Sequence, residues 1–218
     1  MLFAIFMFPA MAFCKDFPDL KLKPAGIFSG NEKFYYSIVG KKSNKESART
    51  FVSCFIENGI LTISDSLNNS SVDVDAVTLK PIEGSWTIEY EGRYDVHSRF
   101  DADSIFVEAS TPQGPQKVAL PMPAGLVLHN DELLMALRAM DFSIEKQKTK
   151  LFIPASASII DMVVIVKGKE KIEVPAGKFN TYKVVLDFGV AVQTAWYEVE
   201  KPHRMVSYDN DVIRYQLE

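Results

Sequence analysis

Three pairs of aspartates are spaced two residues apart, a spacing that could hold a metal ion. The pairs are Asp73/Asp75, Asp101/Asp103 and Asp209/Asp211. Residues two apart in a strand face the same side, so each pair could offer its oxygens to calcium. A calcium site needs several more oxygen ligands, and aspartate is common in solvated turns. We therefore expect turn residues here and no metal site.

The other residue types that could do chemistry form no recognised constellation. His97, His129 and His203 each lack a second ligand at metal-binding spacing, so we expect surface or capping histidines. Residues 143–146 read Ser-x-x-Lys, as in penicillin-binding enzymes, but the partner motif at 148–150 lacks its glycine. The sequence contains no Gly-x-Ser-x-Gly elbow and no glycine-rich phosphate loop. It therefore predicts no catalytic residue and no cofactor.

Aromatic and apolar side chains are the remaining signal. Packing in a core explains most aromatic residues. The alternative is a cavity lining, because a sheet that curls widely encloses more volume than its own side chains fill. On that hypothesis, the candidate ligand-binding residues are Trp86, Phe106, Leu133, Leu134, Leu137, Met140 and Trp196.

The elements that must position these residues are mostly strands. Short β-branched and aromatic runs, separated by turn residues, follow one another from residue 30 onward. Asn58-Gly59 lies between two such runs and strongly indicates a β-hairpin. This pattern favours a single antiparallel sheet over alternating strands and helices.

Residues 130–141 break the strand pattern and predict a helix of about three turns. Asn130 suits the N-cap, and Asp131 and Glu132 suit the positive end of the helix dipole. Apolar residues recur at helical spacing on one face. Because this face needs apolar surface to pack on, we expect the helix to lie across the open end of the sheet.

The tripeptide Pro-Ala-Gly occurs at residues 24–26, 123–125 and 175–177. In the last copy, proline suits the second position of a turn, glycine can adopt a positive φ, and both flanks are strand-like. This copy therefore predicts a hairpin turn closed by Gly177. The uneven spacing of the copies argues against a solenoid, which keeps a fixed period. We interpret them as one turn chemistry used three times.

The first twelve residues differ from the rest of the chain. They carry no charged side chain and end in Ala10-Met11-Ala12, which fits the pattern that signal peptidase cleaves. The run is too short to span a bilayer. We therefore predict a signal peptide at 1–12, an N-terminal extension at 13–29, one domain at 30–218, and a periplasmic or otherwise exported protein. A buried N-terminal strand or helix is the alternative.

The chain contains two cysteines, Cys14 and Cys54. A lipid anchor on Cys14 requires a small residue before it, and Phe13 is large, so we favour simple cleavage after Ala12. An oxidising compartment would permit a disulfide between the two cysteines. Two unpaired thiols are an equal alternative.

Charge and hydropathy narrow the classes of partner. The net charge is -4, with acidic and basic residues interspersed. The chain therefore has no basic stripe for nucleic acid and none for electrostatic binding to an anionic membrane. Beyond the N-terminus no apolar run approaches transmembrane length, so we predict a protein that is not transmembrane.

The C-terminal part of the chain resembles a known family. The segments EKIEVPAGKFNTYKVVLDF (170–188) and AWYEVEKPHRMVSYD (195–209) are similar to the closing segment of a bacterial exported domain of unknown function. That family shows a Pro-Ala-Gly-x-Phe/Tyr turn, a long strand, a Trp/Tyr strand and a proline before the last hairpin. Leu137-Arg138 is similar to the Leu-Arg pair of its short helix, and residues 30–38 resemble its opening strand.

The resemblance implies a mostly-β fold. The expected architecture is a single curved antiparallel sheet forming a partly closed barrel, with one short helix near residues 130–141. The chain also loosely resembles periplasmic lipoprotein-carrier half-barrels, in which a sheet curls around an apolar cavity with a helix in its mouth. This likeness implies a non-enzymatic envelope protein that binds a lipid-like or apolar ligand. The alternative is a structural or protein-interaction domain with a solidly packed barrel and no ligand.

Overall fold

Strands make up most of the part of the chain that the computed structural model describes, residues 17–89 and 92–218. The predicted signal peptide and Cys14 lie outside these residues. One short helix, α1, spans Leu133–Ala136. The strands are β1 (Asn31–Gly40), β2 (Lys45–Glu57), β3 (Ile60–Asp65), β4 (Ser70–Asp75), β5 (Pro81–Glu89), β6 (Arg93–Phe100), β7 (Ser104–Thr111), β8 (Gly114–Pro121), β9 (Val127–His129), β10 (Lys146–Ile153), β11 (Ser158–Val174), β12 (Gly177–Asp187), β13 (Val192–Glu198), β14 (Met205–Asp209) and β15 (Ile213–Leu217).

All fifteen strands belong to one sheet. Strands β1 to β8 form one antiparallel meander and β10 to β15 form a second, and the pairing of β1 with β15 joins them. The sheet has two edges, β8 and β9, and β9 pairs in parallel with β10. The predicted mostly-β fold with one large, largely antiparallel sheet and one short helix is therefore confirmed. Because β8 and β9 do not pair, the sheet is not closed, and the partly closed barrel stays a prediction.

The Asn58-Gly59 hairpin was predicted correctly. It joins β2 to β3, and both residues have positive φ, 52° and 81° respectively. Asparagine and glycine tolerate this conformation better than other residues, so local chemistry alone fixes the turn.

The Val174–Gly177 hairpin was also predicted correctly. Val174 pairs with Gly177 across the turn from β11 to β12, and Gly177 has a φ of 127°. Gly26 and Gly125, which close the other two Pro-Ala-Gly copies, have φ values of 74° and 94°. All three copies therefore end in a glycine with positive φ, although only one joins two paired strands.

The helix is shorter than the predicted 130–141. It begins after Glu132, without a side-chain cap from Asn130, and after Ala136 the chain continues as one 3-10 turn at 137–139. The C-terminal end has a structural reason. Met140 has an extended backbone, with φ of -70° and ψ of 158°, and forms a bridge with Leu22. The chain therefore leaves the helical conformation before residue 141.

Residues 17–29 pack on the sheet and the helix segment. Leu20 and Ile27 are buried in the main core, and Leu22 forms an isolated antiparallel bridge with Met140. The core also buries Leu133 and Leu137 of the helix segment. The N-terminal extension therefore covers one side of the helix segment.

A second, smaller core brings the two ends of the sheet together. It contains Ile105 and Val107 of β7 with Val127 of β9 and Phe152 of β10. The Phe100 ring of β6 meets the Phe152 ring edge to face, with centroids 5.4 Å apart. Side chains therefore connect the β6–β7 region to β9 and β10 without backbone pairing between the edges.

None of the helical segments within residues 17–89 and 92–218 has the length and apolar character that crossing a membrane requires.

Candidate functional site

A cavity of about 490 Å³ lies between helix α1 and one face of the sheet. Its apolar wall combines helix residues with side chains from β10, β11 and β14. These residues are Leu133, Leu134, Leu151, Ile153, Ile160 and Met205. The volume falls within the usual range for sites that hold small molecules.

Turns from one end of the sheet surround the opening of the cavity. Leu67 belongs to the β3–β4 turn, Val190 to the β12–β13 turn and Asn210 to the β14–β15 turn, and all three line the cavity. Leu67 and Val190 are 40% and 76% exposed, so the cavity opens to solvent beside them.

Aromatic residues of the last two strands form another part of the lining. Tyr208 of β14 and Tyr215 of β15 line the cavity, and their ring centroids lie 5.7 Å apart. The Tyr208 hydroxyl donates a 2.6 Å hydrogen bond to Gln193 Oε1. Burial raises the pKa of Tyr208 to about 12, so its hydroxyl stays neutral and the wall adds no charge.

The polar groups of the lining are carboxylates and amides. They are Asp65, Asn68, Asn130, Asp131, Gln193 and Asn210. Within the described part of the chain, no lysine, arginine or histidine lines the cavity. The charge that the cavity presents to a ligand is therefore negative.

Asp131 is the least satisfied of these polar groups. Its side chain is only 9% exposed, Oδ1 accepts a 3.1 Å hydrogen bond from Asn130 Nδ2, and Oδ2 has no partner within the described residues. Burial raises the pKa of Asp131 to about 6. The charge of Asp65 raises it further, and the hydrogen bond from Asn130 partly opposes the rise.

His129 is buried and neutral, so of the two predicted roles, surface or capping, the surface role is wrong for this residue. Its Nδ1 accepts the Asp131 amide at 3.2 Å, so its proton lies on Nε2, which donates to Ser98 Oγ at 3.3 Å. Burial lowers the pKa of His129 to about 3. The contact of 3.8 Å between His129 Nδ1 and Asp131 Oδ2 is therefore not an ion pair at neutral pH.

Glu132 lies next to Asp131 and is completely buried. Its Oε1 accepts the His129 amide at 2.7 Å, whereas Oε2 has no partner among the described residues. Burial raises the pKa of Glu132 well above its ordinary value, although the hydrogen bond from the His129 amide opposes this. Two adjacent carboxyl groups with raised pKa therefore precede the helix.

The structure brings together some of the predicted site residues. Leu133 and Leu134 line the cavity, whereas Leu137 and Met140 are buried in the main core and do not line it. Helical periodicity identified all four as one apolar set, but only Leu133 and Leu134 lie in α1, and Leu137 and Met140 follow it.

The predicted aromatic residues lie elsewhere. Trp86 is on β5 and Phe106 on β7, and neither lines the cavity. The Trp196 indole of β13 donates to Glu170 Oε1 and lies under Lys183 Nζ, which is 5.6 Å from its ring. The structure therefore does not bring these three residues to the helix.

Most of the paired aspartates have side-chain partners, and Asp101 is paired with Arg99 at 3.3 Å. Asp73 accepts from Thr62 Oγ1 at 2.6 Å, Asp75 accepts two backbone amides of its own turn, and Asp209 is paired with Lys41 and Arg214. In residues 17–89 and 92–218, no three histidine, cysteine or acidic side chains are grouped as a metal site would need.

The Ser-x-x-Lys match is also explained by structure. The Ser143 hydroxyl donates a 2.6 Å hydrogen bond to Asp141 Oδ1, and Lys146 is already in strand β10. Ser143 therefore lies in a turn that the Asp141 carboxylate caps, because Asp141 Oδ1 also accepts the Ser143 amide.

Sequence reasoning missed the polar end of the cavity. It assigned Asn130 and Asp131 to the solvated start of a helix, which is where such residues are commonest. It also missed Tyr208 and Tyr215, because strand alternation shows which residues share a face but not which face meets the helix. The one signal in the sequence for a buried polar group was that Asp131 and Glu132 lie directly between two apolar runs.

Comparison of the chain with protein-family models, with curated proteins and with solved structures found no match.

Proposed function

We propose that this protein is a non-enzymatic binder of a lipid-like or apolar ligand, which it holds in the cavity beside helix α1. The observation that carries the proposal is a cavity of about 490 Å³ whose walls are mainly leucine, isoleucine, methionine and tyrosine side chains. An apolar ligand placed against these walls would remove apolar surface from water, both its own and that of the lining.

The proposal includes a partly closed barrel. Its support is that Nε2 of His129 in β9 lies 3.3 Å from Ser98 Oγ in β6, although the two strands are far apart in the sheet order. The backbone of Gly84 in β5 also approaches His129, leaving no room for a Cβ atom. A sheet that curls until its ends touch through side chains would hold the cavity on its inner face.

Exposed apolar side chains at the opening support the same function. Leu67 and Val190 line the cavity and are exposed, and Val212, in the same turn as Asn210, is 71% exposed. Exposed apolar groups around a concave site are typical of surfaces that meet an apolar partner. We infer that the ligand enters between these turns.

The alternative, a structural or protein-interaction domain without a ligand, predicts that no apolar molecule binds in the cavity. Export and a periplasmic location belong to the proposal and rest on the small-x-small pattern at Ala10 and Ala12. N-terminal sequencing of the mature protein tests them, with Phe13 as the expected first residue.

A cavity variant tests the binding function. Leu134 lines the cavity and is only partly buried, so Leu134→Asp would place a carboxylate in the ligand's path. We expect this variant to lose the fluorescence enhancement of N-phenylnaphthylamine while its far-UV circular dichroism stays that of the wild type. The control is Val77→Asp, at a position that is 76% exposed and outside the cavity. Absence of dye binding by the folded wild type would refute the proposal.

A further inference from the structure

We propose that residues 129–132, which connect β9 to α1, form a pH-sensitive latch on one wall of the cavity. When the buried carboxyl groups of Asp131 and Glu132 ionise, the latch opens and releases the start of α1. The inference goes beyond the proposed binding function, because it concerns how the wall moves and not what the cavity holds. It depends on the burial of the two carboxyl groups, the charges around them and the backbone contacts of Glu132.

Both carboxyl groups lie where an ionised group is poorly stabilised. The Glu132 side chain is completely buried, and its Oε2 has no partner within the described residues. The Asp131 side chain is 9% exposed, and its Oδ2, which also lacks a hydrogen-bond partner there, lies 3.8 Å from His129 Nδ1. Because this nitrogen already accepts the Asp131 amide, it cannot donate to Oδ2. A buried charge without partners is costly, so the closed latch favours the neutral form of both groups.

The groups around the latch do not balance a negative charge. Within residues 17–89 and 92–218, neither carboxyl group forms a salt bridge with a lysine or an arginine, and the one charged neighbour is Asp65 of strand β3. Burial raises the pKa of Asp131 to about 6, and the charge of Asp65 adds to this rise. Burial also raises the pKa of Glu132 well above its usual value. The uncharged groups of this segment and of the surrounding strands are His129, Asn130, Ser98, Tyr208 and Tyr215.

Glu132 connects the latch to the cavity wall through its backbone. Its carbonyl oxygen accepts the amides of Met135 and Ala136 at 2.9 Å and 2.8 Å, and its own amide donates to His129 O at 3.1 Å. Its side chain also holds the His129 amide, at 2.7 Å. If the carboxylate moves into water, these bonds cannot all be kept, so the first turn of α1 opens with it. The two leucines of that turn line the cavity, and the wall therefore loosens.

Proton linkage gives the direction of the response. In the closed latch Glu132 keeps its proton, whereas in the open latch its carboxyl group is in water and ionises at its ordinary pKa. The open state therefore binds fewer protons, and opening becomes more favourable as pH rises. One proton released per opening corresponds to about tenfold per pH unit, for as long as Glu132 is protonated in the closed state. Asp131 adds to this effect only below its pKa of about 6, because above it the group is ionised in both states.

Amide hydrogen exchange of the ligand-free protein, resolved by NMR, tests the latch. The reporters are the amides of His129, Met135 and Ala136, which Glu132 holds in the closed state. From pH 6 to pH 8 we expect their protection, corrected for the intrinsic exchange rate, to fall about tenfold per pH unit. Glu132→Gln should abolish this slope, because glutamine can accept the His129 amide but does not ionise. Asp103→Asn, at an exposed position between β6 and β7, is the control and should keep the slope.

Amides in the centre of the sheet show whether the opening is local. Val164 and Leu186 are buried and face each other across β11 and β12, so amides around this pair should stay better protected than the reporters at every pH. Equal protection of both sets would mean that the latch opens only by global unfolding, and the proposal would be wrong. Protection of the reporters that does not change with pH, or a slope that survives Glu132→Gln, would also overturn it. Dye binding is measured separately, so a failure of the latch leaves the proposed function standing.

Discussion

Arg138 donates hydrogen bonds to both carboxylate oxygens of Glu32, at 3.0 Å and 3.2 Å, from a position that is completely buried. The same guanidinium donates to the backbone oxygens of Ile27 and Pro202, and Phe34 lies 4.9 Å from it. This ion pair ties the helix segment to strand β1, and through Ile27 to the N-terminal extension.

Removing one partner of this pair should be strongly destabilising. Arg138→Met leaves the carboxylate of Glu32 mostly buried and without its cationic partner. We therefore expect the free energy of unfolding, measured by urea denaturation, to fall by about 3–5 kcal/mol. The double variant Arg138→Met/Glu32→Met should be less destabilised than Arg138→Met alone. Arg99→Met is the control, because its pair with Asp101 is exposed and should be worth less than about 1 kcal/mol. Equal losses for Arg99 and Arg138 would contradict the buried pair.

Gly84→Ala tests the contact between the two ends of the sheet. A Cβ atom at Gly84 would lie 2.7 Å from His129 Nε2 and 3.1 Å from Ser98 Oγ. His129 is held by the amide of Asp131 and cannot move freely, so we expect a loss of about 1–3 kcal/mol in thermal unfolding. Glu83→Ala, on an exposed neighbouring position, is the control. If Gly84→Ala is as stable as Glu83→Ala, β5 does not approach β9 as described.

Gly177→Val tests the hairpin turn. Gly177 has a φ of 127°, and a Cβ atom there would meet nothing within 4 Å, so any loss comes from the backbone conformation. We expect the substitution to cost about 1–3 kcal/mol of unfolding free energy. Lys178→Val, the next residue of β12 and largely exposed, should change stability little. An unchanged melting temperature for Gly177→Val would refute the assignment.

Asp131→Asn should stabilise the protein at neutral pH. The pKa of Asp131 is about 6 in the folded state and 3.8 as a free side chain, so the folded state binds more protons between these values. Stability is therefore lost as pH rises from about 4 to about 6, and a shift of this size corresponds to about 3 kcal/mol. We expect Asp131→Asn to recover up to this amount at pH 7.5 and almost none at pH 4. Urea denaturation at both pH values measures it, and a variant that is less stable at pH 7.5 would contradict the burial of the charge.

Local chemistry made part of the fold predictable. The turns at Asn58-Gly59 and at Val174–Gly177 depend on a few residues with special backbone preferences, and both were predicted correctly. Strand β8 was missed, because its sequence, GPQKVALP, is mostly exposed and lacks alternation. The helix was predicted too long, because Met140 has an extended backbone and pairs with Leu22, a residue distant in sequence.

The candidate site was also only partly predictable, because contacts between residues distant in sequence decide which side chains line the cavity. Helical spacing singled out Leu133 and Leu134 as one apolar face, and these residues do line the cavity. Trp86 and Trp196 were chosen by residue type, yet a strand has two faces and sequence does not show which one the helix covers. Asp131 could not be predicted as a buried group, because burial comes from strands that meet it only after folding.

The central claim is that the cavity beside helix α1 holds a lipid-like or apolar ligand. Native mass spectrometry of the protein purified from its own host, without detergent, tests this most directly. We predict one additional small molecule per chain, which organic extraction removes and which Leu134→Asp fails to retain. Wild-type protein at the mass of the bare chain, with no N-phenylnaphthylamine response after extraction, would contradict the claim.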